Sequence, residues 1–173
     1  MTLRNTLAGF ACMIAMSFAF LPAAAQTGRG KAELDAAGGK IAVDYGRPQL
    51  KGRDPLTWQQ NGTYWRMGSN SMTTLTTPVD LAFGNTKLPK GTYGLWLLKV
   101  AADRYELVFN SETSGMGMSH DKAKDLASVP MKHNAGGALV ESLTLKLEGA
   151  PGGGVFSLAW GNLLLSTDFK FGN

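Results

Sequence analysis

The sequence predicts an all-β protein: an antiparallel β-sandwich of about nine to ten strands with one or two short helices. Three observations carry that expectation. Apolar and polar residues alternate with period two along most of the chain after residue 39. Compact turn signals, "AGGK", "FGNTK", "LPKG", "VAADR", "EGAPGGG" and "WGN", separate the alternating runs. Helical signals are confined to two short pieces.

In chain order, "KIAVDYG" places Ile41, Val43 and Tyr45 on one side and Lys40, Ala42 and Asp44 on the other. "DPLTWQQ" is the first helical piece, with Asp54 as cap and Pro55 at the first helical position. "GTYGLWLLKV" is apolar on both faces, as a central strand covered on both sides should be. "RYELVFN" turns Tyr105, Leu107 and Phe109 one way. "SHDKAKDLA" is the second helical piece, ending before Pro130. "ESLTLKLE" sets Leu143, Leu145 and Leu147 against Ser142, Thr144 and Lys146. "LLLSTDFKF" sets Leu163, Leu165, Phe169 and Phe171 against Asp168 and Lys170. An outer-membrane barrel would need a lipid-facing apolar row on every strand with aromatic girdles at both rims. These strands differ in character and several connections are long, which favours the sandwich.

The opening "MTLRNTLAGFACMIAMSFAFLPAAAQ" has Arg4, an apolar run from Leu7 to Leu21, the breaker Pro22 and the triplet Ala23-Ala24-Ala25. That order predicts a secretory signal peptide over residues 1–25, cleaved before Gln26. The apolar run is short for a spanning helix, so no transmembrane segment is expected in the mature chain. Cys12 lacks the preceding leucine and the longer apolar stretch of a lipid-anchored cysteine. Removing 25 of the 173 residues leaves 148. We expect a lead-in and first strand over residues 26–39 and one sandwich domain over 40–173. Cys12 is the chain's one cysteine, so the mature protein has neither disulfides nor thiolate chemistry. Of 17 basic residues, 16 remain after Arg4 is removed, against 13 acidic ones, a net charge of +3. That charge is scattered and small, and it excludes a nucleic-acid footprint. The expected location is the periplasm or beyond it.

The unusual chemistry is concentrated in "VDYGRPQLKGRDPLTWQQNGTYWRMGSNSMTTL", where Arg47, Lys51, Arg53 and Arg66 are interleaved with Tyr45, Trp58, Tyr64 and Trp65. Guanidinium groups bind carboxylate or phosphate, and indole or phenol faces stack on rings. We take Arg47, Lys51, Arg53, Trp65, Arg66 and Asn70 as candidate ligand-binding residues for an anionic or sugar-like partner, a small molecule or a glycan. The competing role is architectural: arginines tying loops to carbonyls, Asn70 shaping a turn, and tryptophans filling the core.

The elements "YGRPQLKGR", "YWRMGSN" with "TTL", "LPKGTYGLW", "LVFN", "VESLTLKL" and "LAWG" together resemble the exported bacterial family catalogued as domain of unknown function 2911. They stand in that family's order from Lys40 to Phe171. The resemblance implies an all-β fold and export, and no reaction or cofactor. Similar sequences carry a Trp-Gly pair after the "FN" strand, where this one has "SGMGMSH", so the loop is this chain's own variation.

That loop holds one of two M-x-H units, Met118/His120, and "PMKH" holds the other, Met131/His133; together they contain both histidines of the chain. Thioether and imidazole suit Cu(I), so an S2N2 copper site is the alternative reading of function. The helical pattern of "SHDKAKDLA" opposes it by aiming Met118 and His120 apart, and methionine also fills gaps in flexible loops. Enzyme signatures are absent: there is no H-E-x-x-H or G-x-S-x-G, and Lys122 and Lys124 interleave with Asp121 and Asp125. A hydrolase would have to be assembled from residues distant in sequence. Neither catalytic residues nor a resident cofactor are expected.

Overall fold

The computed structural model describes residues 28–172, so the predicted leader and Cys12 lie outside the described residues. The fold is all-β, with twelve strands in one antiparallel sheet. A hairpin of β1 (Arg29–Ala36) and β2 (Gly39–Gly46) opens it. Ala36 pairs with Gly39, leaving only Ala37 and Gly38 to turn the chain. After α1 (Pro55–Trp58) come β3 (Tyr64–Trp65), β4 (Thr74–Thr77), β5 (Leu81–Phe83), β6 (Thr86–Leu88), β7 (Gly91–Ala101) and β8 (Arg104–Asn110). The C-terminal part is β9 (Asp125–His133), β10 (Val140–Ala150), β11 (Gly153–Gly161) and β12 (Leu163–Phe171).

The hydrogen-bonded order is β1-β2-β4-β7-β8-β9-β12-β11-β10, with β3 added to β7 and the β5–β6 hairpin added to β12. The expected sandwich is therefore one continuous sheet that curls around its core in a barrel-like way. Period-two alternation is the same in both architectures, which is why the sequence pointed to strands without deciding how the sheet closes. The two ends of the path meet: Leu34 of β1 sits against Gly149 of β10 and Gly154 of β11, and the Tyr45 hydroxyl donates to the Leu145 carbonyl at 3.4 Å. Inside lie Ile41, Val43, Leu95, Leu107, Leu145, Leu158 and Leu165, with Phe109, Phe156 and Phe169. A second, smaller cluster of Met72, Trp96 and Val108 covers the other face of β7 and β8.

The first helical expectation holds, with the Asp54 carboxylate accepting from the Leu56 N–H at 3.0 Å and Pro55 opening the helix. The second is corrected. Only a single 3-10 turn forms, at Lys122–Lys124, and β9 begins at Asp125. Asp125 is drawn into the sheet by Asn110 of β8, whose Nδ2 donates to its carboxylate at 2.8 Å. Nor does Pro130 stop the element. It pairs with Glu106 on one side, and β12 joins β9 only at Lys132 and His133, so the missing N–H removes no ladder bond there. Among the described residues no helix is long and apolar enough to cross a membrane.

Candidate functional site

The segment after β2 is folded onto the end of the sheet by a tight backbone contact. Gly46, the last residue of β2, lies against the backbone of Ser69, and a Cβ there would run into the Ser69 carbonyl. Around Ser69, Met67 (φ 46°) and Asn70 (φ 62°) both take left-handed conformations. Such residues cost on the order of 1–3 kcal/mol each and persist where surrounding contacts dictate them. Met67 is fully buried, and its carbonyl accepts from Thr73 Oγ1 at 2.9 Å.

This loop, α1, β3 and the 113–120 loop enclose a cleft of about 380 Å³. All four tryptophans of the chain line it. Trp65 and Trp160 stack at 5.1 Å, and Trp58 meets both edge-on at 5.5 and 5.9 Å. Trp58 is half exposed while Trp160 is buried. The Trp160 indole N–H meets no acceptor among the described residues. Around the edge strand β3 the cleft continues to Tyr64, Trp96 and His120.

Two guanidinium groups stand at the cleft. Arg53 lies over Trp160, 5.1 Å from its ring centre. Its Nε donates to the Leu50 carbonyl at 3.1 Å and its Nη2 to the Gln49 carbonyl at 2.6 Å. Arg66 reaches across to the 113–120 loop, donating to the carbonyls of Met116 and Gly117 and facing Met118 Sδ at 3.4 Å. Neither arginine has a carboxylate partner among the described residues. The cleft is thus rich in donors and cation and poor in acceptors.

His120 is held rigidly. Its ring stacks on Tyr64 at 3.6 Å and meets the edge of Trp96 at 5.0 Å. Nε2 lies 2.8 Å from Asp125 Oδ1, and because a carboxylate only accepts, the proton belongs on Nε2. Burial raises the Tyr64 phenol above its ordinary value, and the charges of Asp125 and Glu106 push the same way, so the phenol stays neutral.

Of the six candidate ligand-binding residues, the structure brings together Arg53, Trp65 and Arg66. Arg47 lies elsewhere, its Nε donating to the Leu143 carbonyl at 3.2 Å, a tie between β2 and β10. Lys51 occupies a turn at φ 47°, with its backbone N–H on Glu141 Oε1 at 3.1 Å. Asn70 shapes the Ser69 loop and is not in the cleft wall. Sequence reasoning left out Trp96 and Trp160, which arrive from β7 and β11. The signal was present, since both stand in the "GLW" and "LAWG" elements already singled out.

The four methionine and histidine candidates are not brought together. Met118 and His120 line the cleft, but Met118 is 80% exposed and points past Arg66. Met131 is buried in the core. His133 packs against Tyr105 and faces Asp103 at 3.4 Å. His120 is tied to Asp125 at the start of β9 and His133 ends that strand, whose nine residues span roughly 26 Å. Among the described residues, no group of three or more His, Cys, Asp or Glu stands where it could hold a metal ion.

The fold and cleft together define a class: a β scaffold with an aromatic, cationic cleft at one end of its sheet. The chain belongs to the family described as Protein of unknown function (DUF2911), whose model matches residues 28–169. No curated protein and no solved structure matches it.

Proposed function

We propose that the protein is an exported binding module whose cleft takes an anion carrying a ring with a face that can stack on indole, such as an aromatic acid or an acidic sugar. One observation carries the reading: Arg53 and Arg66 stand beside four tryptophans with no carboxylate among the described residues to neutralise them. A charge left in a partly desolvated cleft favours a ligand that supplies the counter-charge. Indole faces, above all that of the half-exposed Trp58, supply the stacking.

Because every tryptophan lines the cleft, intrinsic fluorescence is a direct reporter. Benzoate and glucuronate should quench or shift the emission of residues 26–173, while their neutral counterparts benzamide and glucose should not. Arg53→Ala should weaken the response about tenfold or more, in line with the 1.5–3 kcal/mol of a charge-assisted hydrogen bond. Because Arg53 also donates to the Leu50 and Gln49 carbonyls, the variant should lower the denaturation midpoint somewhat, so the loss of response is read under conditions where it remains folded. Equal responses to acids and neutral counterparts, or to neither, would sink the reading.

Export is the second part of the proposal, supported by the basic, apolar and small-residue order of residues 1–25. Intact-mass measurement of the chain made in a bacterial host should give a species beginning at Gln26. A species that retains Cys12 counts against it.

A further inference from the structure

We propose a second binding site, for a neutral saccharide, on the face of β9, β10, β11 and β12 that is turned away from the core. A groove of about 320 Å³ runs across this face. Strand register orders its side chains in two rows. Lys132, Ser166 and Ser157 stand opposite one another on β9, β12 and β11. The next row is Asp168, Val155 and Glu148 on β12, β11 and β10. Neighbours within a row are about 5 Å apart, and the rows are separated by two residues, roughly 7 Å.

The observation that points to a ligand is Ser157. It is only 7% exposed, yet its hydroxyl meets no hydrogen-bond partner among the described residues. A buried hydroxyl without a partner is costly and uncommon, and this one lines the groove. Ser166 adds a second hydroxyl. It accepts from Asn134 Nδ2 at 3.0 Å, so its own proton is free to donate outward. Lys132, Glu148 and Asp168 form no ion pair with one another or with any other described residue.

The hydrogen-bonding inventory selects the ligand class. The tryptophan-lined cleft offers donors and positive charge, which suits an anion. This groove offers an ammonium and hydroxyl row beside a carboxylate row, with Val155 and Leu164 as apolar ground between and beyond them. Vicinal hydroxyls donate and accept at once, and a pyranose presents them around an apolar C–H face. A hexose laid across both rows therefore satisfies donors and acceptors together. The volume sits at the small end of ligand sites, which fits one or two sugar units.

The site lies on a different face from the cleft, so the two readings stand or fall separately. The test uses 15N-labelled residues 26–173 titrated with glucose, galactose and N-acetylglucosamine at millimolar concentration. At least one sugar should shift amides of residues 155–158 and 164–168, leaving those around Arg53 and Arg66 unmoved. Asp168→Ala should reduce the affinity at least severalfold at an unchanged denaturation midpoint. Ser157→Ala should also weaken binding and should hold or raise the midpoint, because it removes a hydroxyl that has no partner. The proposal is overturned by an absence of shifts with all three sugars or by shifts confined to the tryptophan cleft. A Ser157→Ala midpoint that falls would also overturn it, since the hydroxyl would then have a partner within the fold.

Discussion

At the scale of single residues, one glycine decides whether the cleft exists. Gly46 ends β2 with the Ser69 backbone directly against its Cα, and the clash a side chain would make there is with a peptide carbonyl. A backbone atom cannot rotate away as a side-chain tip can, so the loop itself would have to move. That loop holds Met67 and Asn70 in left-handed conformations and delivers Trp65 and Arg66 to the cleft. Gly46→Ala should therefore cost at least the ~1–3 kcal/mol of an overpacked site, read as a lower urea midpoint. The same variant should expose tryptophan emission to a soluble quencher, because Trp65 shifts with the loop. A native midpoint with native quenching would show that the contact is dispensable. "YGR" and "MGSN" are separated by some twenty residues and carry no signal that one glycine exists to receive the other's loop. The motif was legible as a motif, and its meaning as a backbone contact was not.

At the scale of elements, legibility followed length. The long runs became β2, β7, β8, β10 and β12, and the double-sided apolar pattern of β7 has its cause in two clusters, Leu95 and Leu97 on one face and Trp96 on the other. The short strands β3, β5 and β6 hold two or three residues each, too few to show a period, and they account for twelve strands where nine to ten were expected. The "SHDKAKDLA" piece failed for a different reason. Its local pattern is helical, but Asp125 is worth more to the sheet, where it accepts from both Asn110 and His120. That tertiary demand overrode propensity. It also fixed His120 against Tyr64 and Trp96, which is how the methionine-rich 113–120 loop came to border the cleft. Of the basic-aromatic segment's candidates, Arg53, Trp65 and Arg66 come to line one cleft. Arg47 lies outside that cleft, because an arginine just after β2 that donates to the Leu143 carbonyl reads in sequence like one that faces a ligand.

At the scale of the whole molecule, a single curled sheet has two ends, and their behaviour distinguishes it from a closed barrel. β7 is paired along one side by β3 and β4 and along the other by β8, and it is covered on both faces. Among the described residues β1 pairs only with β2, and it meets β10 and β11 through side chains such as Leu34. Opening a residue in β7 requires breaking ladders on both sides and exposing core, whereas β1 peels from one neighbour. Hydrogen exchange should reflect this difference, since protection scales with how much structure must open. Amides of Leu95–Leu98 and Leu107–Phe109 should exchange slowest, near the rate set by global unfolding. In β1, amides bonded to β2 should be intermediate, and those alternating with them, which point toward β10, should exchange fastest among the long strands. The contrast within β1 is the informative one, because it compares neighbouring residues in the same strand. If the outward amides of β1 are as protected as those of β7, then β1 and β10 are hydrogen-bonded and the sheet is a closed barrel. The predicted alternation instead marks a sheet left open between β1 and β10, where side chains hold it shut, while the segment just after β2 ties to β10 through the Leu50 N–H on the Glu141 carbonyl at 2.7 Å and the Leu143 N–H on the Pro48 carbonyl at 3.0 Å.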